Sequence, residues 1–183
     1  MNRKTIKIAF PAGMLCCFLA CQPAQEKQST PLSGFDERYE ATIDSVLGLL
    51  TLEEKIHMVH GTGMFTSGGV ERLGIPELQY TDGPTGIREE LEPKSWKPLG
   101  WTTDSVTFFP TGTALAATWN ADLALEYGKA IGNEARARNK DILLAPGVNI
   151  IRTPLCGRNF EYFSEDPHLT SVMTVGYVKG VQM

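Results

Sequence analysis

The sequence predicts an α/β fold with a parallel sheet, and three observations support this prediction. Helix and strand patterns alternate along the chain in the order helix, strand, loop, helix, strand, loop, helix, which is the order of βαβ units. The run 142–145 is wholly apolar, as in a parallel strand covered on both faces. Long polar loops follow both strands, and in a (β/α)8 barrel such loops build the active-site rim. We therefore predict the N-terminal portion of a (β/α)8 barrel.

The first 20 residues have the pattern of an export signal. Three basic residues (Arg3, Lys4 and Lys7) precede an apolar stretch of 13 residues, 8–20, which is too short to cross a bilayer and is typical of a signal peptide. The stretch ends in Phe18-Leu19-Ala20-Cys21, which resembles a bacterial lipobox. This resemblance implies cleavage after Ala20 and a lipid on Cys21. The alternative is an ordinary secretory signal cut near Ala20.

We predict three segments, namely a signal peptide over 1–20, a lipid-anchored flexible tether over 21–34, and a folded domain over 35–183. The tether is rich in Gln, Ser, Pro and Thr and is typical of a flexible linker. Its lipid would anchor an exported lipoprotein to a bacterial membrane, in the periplasm or at the outer membrane. The net charge of −4 lacks the basic excess of a nucleic-acid binder, so we predict no nucleic-acid partner.

The first half of the domain begins with two short helices. Apolar residues at helical spacing predict a helix around 43–50. Thr51 and Glu54 then fit a capping box that opens a second helix to about Val59. Four glycines within 61–69 predict a mobile loop. A short strand over 78–81 follows, and it stops at the strong turn signal Asp82-Gly83-Pro84.

The second half contains two capped helices around a strand. Asn120 caps a long helix. Helical spacing predicts the buried face of this helix: Leu123, Tyr127, Ile131 and Ala135. Trp119 is expected in the core, and 142–145 forms the second strand. Asp166 and Pro167 are an N-cap and first-turn pair for a last helix to about Gly180.

The predicted domain is too short for a complete barrel. A (β/α)8 barrel needs roughly 250 residues, whereas about 150 of the 183 residues follow the tether and supply two predicted strands. We therefore expect the first part of a barrel, truncated by a gene break or by the choice of fragment.

The segment 152–167 has the composition of a ligand site. Its sixteen residues include two arginines, three carboxylates, three aromatic residues and two prolines, without apolar periodicity. Arginine forks and aromatic faces are suited to holding a polar, ring-shaped ligand.

Several ordered blocks resemble glycoside hydrolase family 3, whose best-known members are β-glucosidases. Gly-Arg-Asn-Phe-Glu at 157–161 and Tyr-Thr-Asp-Gly-Pro-Thr-Gly-Ile-Arg at 80–88 match two family signatures. Further matching blocks are Phe-Pro-Thr-Gly at 109–112, Ala-Ala-Thr-Trp-Asn at 116–120 and Leu-Ala-Pro-Gly-Val-Asn-Ile at 144–150. The resemblance implies a barrel-type β-glycosidase of carbohydrate catabolism that acts on a β-linked oligosaccharide or glucoside.

Asp82 is the first candidate for binding substrate. On its residue type alone it could simply cap the turn before Gly83-Pro84. The alternative is that its carboxylate accepts hydrogen bonds from two sugar hydroxyls. The resemblance implies the second role, because Asp82 matches the aspartate that holds the sugar in subsite −1 of the family.

Arg158, Arg88 and Glu161 are the other candidates. Arg158 could be a surface arginine paired with Glu161 or Glu165, but by resemblance it matches the arginine that holds the same sugar ring. Arg88 could line the site or brace its loop. Glu161 could hold Arg158 in place. Trp96 and Trp101 could stack on a sugar face.

No cofactor or metal site is predicted. Cys156 is the one cysteine outside the targeting segment, so it cannot form an internal disulfide. It could be a reactive thiol, but it is expected to be a small packing residue. His57, His60 and His168 lack a third ligand at the spacing of a zinc site and are expected to be structural.

The sequence contains no predicted catalytic pair. Retaining hydrolysis needs two carboxylates about 5 Å apart, a nucleophile and an acid/base. The resemblance implies a nucleophile in an Asp-Trp segment well downstream, and an acid/base later still. We thus predict the N-terminal part of an exo-acting retaining β-glycosidase that is inactive alone. The alternative is a surface lipoprotein that only binds saccharide, or the product of a decayed gene.

Overall fold

The computed structural model describes residues 39–101 and 104–183. The chain divides into two compact units, Met1–Ser45 and Val46–Met183. The predicted signal peptide, tether and lipidated Cys21 lie outside the described residues. No helix in the two described ranges is both long enough and apolar enough to cross a membrane.

Helices and strands alternate along the described residues, as the sequence predicts for an α/β fold. The elements are α1 (Glu40–Leu49), α2 (Leu52–Met58), β1 (Thr66–Ser67), β2 (Leu78–Asp82), α3 (Gly112–Ala116), α4 (Ala121–Ala137), β3 (Ile142–Leu144) and α5 (Pro167–Val181), with 3₁₀ turns at Glu71–Leu73 and Asn159–Glu161.

The sheet has the order β1-β2-β3. Strands β2 and β3 are parallel, with Thr81 opposite Leu143 and Asp82 opposite Leu144. Strand β1 is antiparallel to β2 and lies inside the segment 61–69, for which the sequence predicted only a loop. That prediction was wrong for Thr66–Ser67 because two residues among glycines carry too little periodicity to indicate a strand.

The helix starts follow the predicted capping. Thr51 and Glu54 form both bonds of the capping box at α2. The Asn120 carboxamide oxygen accepts from the Asp122 and Leu123 amides at 3.0 and 3.1 Å. Asp166 accepts from the His168 amide at 2.8 Å, and Pro167 begins α5. These side chains satisfy amide groups that have no partner within the first turn of a helix.

The core lies where α4 and α5 pack on the parallel strands. Its large buried residues are Ile87, Leu115, Tyr127, Ile131, Phe163, Leu169, Met173 and Tyr177, and Leu143 of β3 packs against this cluster. Burial of Tyr127, Ile131 and Ala135 confirms most of the predicted face of α4. Leu123 is 44% exposed, so its predicted burial was wrong. The buried stripe runs through Ala124 instead, one residue further around the helix.

Two other predicted packing residues are exposed. Trp119 has a positive φ of 54° in the turn between α3 and α4, and it is 74% exposed because this turn carries it out of the core. Cys156 is a free, exposed cysteine. It lies in the stretch 152–158, which is exposed at every position and places the side chain outside the core.

Candidate functional site

Asp82 is the last residue of β2 and lies at the carboxyl end of the parallel strand pair. Successive side chains of a strand point to opposite faces. Thr81 is 2% exposed and lies opposite Leu143, which packs against the core, whereas Asp82 is exposed. The carboxylate of Asp82 therefore lies on the face away from the helices. In α/β barrels this end of the strands carries the active site.

The loop 83–88 after Asp82 is tightly closed. The Arg88 amide donates to the Asp82 carbonyl oxygen at 3.2 Å, and the Phe109 amide donates to the Thr85 carbonyl oxygen at 2.8 Å. Gly86 has a φ of 140°, and a Cβ there would collide with the Thr107 carbonyl oxygen. The turn is thus closed by the backbone carbonyl of Asp82, which leaves its carboxylate available to a ligand.

Tyr127 of α4 supports this loop from the core side. Its hydroxyl lies 2.8 Å from the Pro110 carbonyl oxygen and 3.3 Å from the Pro84 carbonyl oxygen, and it donates to them. Burial raises the pKa of Tyr127 to about 12, so the hydroxyl stays a donor at neutral pH. Nothing in the sequence indicates this role, because Tyr127 simply occupies an apolar position of the helix.

Arg158 and Glu161 form an ion pair in the loop after β3, between Arg158 Nε and Glu161 Oε1. The Arg158 side chain is 73% exposed, whereas that of Glu161 is only 10% exposed. The hydrogen bond and charge of Glu161 raise the pKa of Arg158, with smaller contributions from Tyr162 and Asp82. The buried carboxylate therefore fixes one edge of an exposed guanidinium, and the Asp82 charge is close enough to act on it.

The backbone around Glu161 is held by two of the sequence blocks. Gly112 and Gly147 both lie against the Glu161 carbonyl oxygen. A Cβ atom at Gly112 would be only 3.0 Å from that oxygen. The Thr113 hydroxyl donates to the Tyr162 carbonyl oxygen at 2.9 Å. The blocks at 109–112 and 144–150 thus fix the segment that carries Arg158.

Arg88 contacts two aromatic rings. Its guanidinium carbon lies 5.7 Å from the ring centroid of Phe65 and 5.2 Å from that of Trp96. The Arg88 side chain lines a cavity of about 120 Å³ together with Phe65, Thr81 and Glu90. The Arg88 side chain therefore lies against these two rings, and Arg88 lines the cavity next to them. Phe65 was missed from the sequence because the segment around it was predicted to be a loop.

The site combines an exposed carboxylate with exposed guanidinium donors, a pairing that suits a ligand carrying several hydroxyl groups. Within 39–101 and 104–183, no three His, Cys, Asp or Glu side chains converge as a metal site would require.

Residues 73–183 match the model of the glycosyl hydrolase family 3 N-terminal domain. The chain belongs to this family. It is 51% identical to the β-glucosidase BoGH3A of Bacteroides ovatus over 91% of the chain and 23% of that protein. It is 41% identical to an exo-α-(1→6)-L-arabinopyranosidase of Bifidobacterium longum over 78% of the chain and 19% of that protein.

The solved structures support the same fold. The family 3 chain superimposes on β-glucosidase 3B from Thermotoga neapolitana, solved with α-D-glucose, with a TM-score of 0.69 and 40% identity, covering 77% of this chain and 21% of that one. This confirms the predicted α/β fold as the N-terminal part of a (β/α)8 barrel. The chain spans about a fifth of the length of these relatives.

Proposed function

We propose that this chain forms the first part of the catalytic barrel of an exo-acting retaining β-glycosidase of the β-glucosidase type. The observation that carries the proposal is the position of Asp82, whose carboxylate is exposed at the carboxyl end of β2, the end that carries the active site in α/β barrels. In this role the chain binds the sugar at the non-reducing end of a β-linked oligosaccharide or glucoside.

Each side chain has a distinct part in binding that sugar. The Asp82 carboxylate accepts hydrogen bonds from two hydroxyl groups, and the exposed edge of Arg158 donates to a third oxygen. Glu161 orients Arg158 through the ion pair. Such contacts fix the sugar ring for attack, but they supply neither a nucleophile nor a general acid. We therefore infer that the 183 residues alone have no glycosidase activity.

The test uses a chimera in which residues 46–183 replace the matching segment of the Bacteroides ovatus β-glucosidase BoGH3A. Asp82→Ala and Arg158→Ala should each lower kcat/KM on an aryl β-glucoside roughly 30- to 1000-fold, because losing one partner leaves buried polar groups unpaired at a cost of about 2–4 kcal/mol. An aryl α-L-arabinopyranoside serves as the second substrate.

The melting temperatures of both variants should stay near that of the parent, since neither side chain is buried in the core. Activity close to the parent value in either variant would remove that residue from the substrate site.

The proposed location is an exported lipoprotein held in a bacterial membrane through a lipid on Cys21. Support comes from the basic residues and the apolar stretch that end at Ala20-Cys21. A Cys21→Ala variant should move from the membrane pellet to the soluble fraction on cell fractionation, because it has no thiol to carry the lipid. If the variant pellets like the parent, the lipid anchor is wrong.

A further inference from the structure

The segment 90–99 folds back on itself beside the loop of Asp82. Leu91 and Pro98 form an antiparallel bridge. The Glu92 amide donates to the Lys97 carbonyl oxygen and the Leu99 amide to the Glu90 carbonyl oxygen, both at 2.9 Å. The result is a short hairpin whose tip carries Trp96.

Charged side chains fix the base of this hairpin to the end of α4. The Glu90 amide donates to Asp104 Oδ2 at 2.6 Å, and Lys140 Nζ donates to Glu90 Oε2 at 2.8 Å. Arg138 forms an ion pair with Asp104, and the two side chains are only 16% and 7% exposed. Pairs this well shielded hold a loop more firmly than exposed ones. The position of Trp96 is therefore defined by the fold.

Trp96 is 63% exposed at the tip of the hairpin. Its ring meets the Phe65 ring edge to face, with 5.8 Å between centroids, and the Arg88 guanidinium lies against both rings. The Met64 amide joins the two segments by donating to the Pro93 carbonyl oxygen at 3.1 Å. We call Phe65, Arg88 and Trp96 the Trp96 platform. A firmly held aromatic ring that stays exposed to water suits stacking on a flat ligand.

Arg88 connects the platform with Asp82. It bonds the Asp82 carbonyl oxygen through its amide and contacts Trp96 through its side chain. Arg88 Nε is buried and has no acceptor among the described residues, so the arginine is held mainly by its aromatic neighbours.

We propose that the Trp96 platform binds the ring that follows the sugar held by Asp82, and so sets the preference for the leaving group. The ligand must present a flat apolar face to the platform, and both an aryl aglycone and a second pyranose ring do so. This proposal rests on the proposed function, because it takes Asp82 as the ligand of the neighbouring sugar.

The test measures dissociation constants in the chimera for three thioglycosides that resist hydrolysis. Methyl 1-thio-β-glucoside has no second ring, 4-nitrophenyl 1-thio-β-glucoside has an aryl ring, and thiocellobiose has a sugar ring. Trp96→Ala should weaken binding of one or both ring-bearing probes roughly 3- to 10-fold, the range expected for one stacked ring. Binding of the methyl probe should not change, and the affected probe identifies the ring that stacks.

Two control variants sharpen the experiment. Trp96→Phe keeps a ring and should retain most of the preference for ring-bearing probes. Trp119→Ala removes another exposed tryptophan, 74% exposed in the turn between α3 and α4, and should leave all three constants unchanged. The platform is disproved if Trp96→Ala weakens all three probes equally or none of them.

Asp82→Ala separates this proposal from the function on which it rests. It should weaken all three probes by the same factor, because it removes a contact to the shared glucose ring. If Asp82→Ala changes no constant while Trp96→Ala weakens the ring-bearing probes, the assignment of Asp82 is wrong, whereas Trp96 still stacks on the ring of the leaving group. If Asp82→Ala weakens all three probes equally and Trp96→Ala does not weaken the ring-bearing probes more than the methyl probe, only the proposal for the platform is wrong.

Discussion

Tyr127 and Tyr177 lie side by side in the core, with ring centroids 5.3 Å apart, but their hydroxyl groups differ in surroundings. The Tyr127 hydroxyl donates to the Pro110 and Pro84 carbonyl oxygens, which belong to the segments around Asp82. The Tyr177 hydroxyl is buried without a partner among the described residues, and burial raises its pKa. A buried hydroxyl stabilises a fold only when it is hydrogen-bonded.

Replacing each tyrosine by phenylalanine should separate these two cases. Tyr127→Phe should lower the free energy of unfolding of the chimera by about 1–2 kcal/mol, since it leaves the Pro110 carbonyl oxygen without its donor. Tyr177→Phe should cost nothing or stabilise slightly, because it removes an unpaired polar group. Urea unfolding of both variants measures the difference. Equal losses of unfolding free energy in the two variants would show that the hydrogen bonds of the Tyr127 hydroxyl add no stability.

Helices α4 and α5 approach each other through glycines. Gly128 and Gly132 of α4 lie against the backbone of α5, and Gly176 and Gly180 of α5 lie against the backbone of α4. This contact brings Tyr127 and Tyr177 together and sets α4 against the loop of Asp82. Side chains at these positions would push the helices apart, because packed interiors have little free volume.

Gly180→Ala tests this contact. A Cβ at Gly180 would collide with the Leu125 carbonyl oxygen and lie 2.8 Å from the Lys129 amide nitrogen. We expect a loss of roughly 1–3 kcal/mol in the free energy of unfolding of the chimera. The matched control is Gly48→Ala in α1, where a Cβ has no atom within 4 Å and the gain in helix propensity is up to about 1 kcal/mol. Stabilisation by both substitutions would contradict the close helix contact.

The sheet of the described residues has three strands, whereas a complete barrel has eight. Strand β3 pairs with β2 on one edge, and in the described part of the chain no strand pairs with its other edge. Leu144, Leu155 and Phe160 are 48%, 92% and 57% exposed. Parallel strands are normally covered on both faces, and open apolar edges promote aggregation.

Residues 22–183 produced alone should therefore be insoluble or unfold without cooperativity. Size-exclusion chromatography and thermal unfolding check this expectation, with the chimera as the matched control. A monodisperse monomer with a sharp two-state transition would show that these residues complete a fold by themselves.

The sequence predicted the elements that carry a strong local signal. The capping side chains Thr51, Asn120 and Asp166 and the apolar run of β3 all stand at their predicted places. The signature ending in Arg88 correctly marked a tight turn at the end of a strand. Such features depend on neighbouring residues, which is why they can be recognised without the fold.

Other parts of the site depend on contacts between distant segments. Nothing near Tyr127 in the sequence indicates the Pro84 carbonyl oxygen, 43 residues away. The pairing of Lys140 with Glu90 spans 50 residues, and the stacking of Trp96 on Phe65 likewise joins two loops. The sequence named Trp96 as a candidate for stacking, but only the fold identifies its neighbours.

Asp82 and Arg158 are proposed to hold the same sugar at the carboxyl end of the strands. A crystal structure of the chimera with bound glucose would show both contacts at once. We predict a glucose with one hydroxyl group within about 3 Å of an Asp82 carboxylate oxygen and another within about 3 Å of the Arg158 guanidinium. Glucose bound out of hydrogen-bond reach of either side chain would disprove their shared role in holding the sugar.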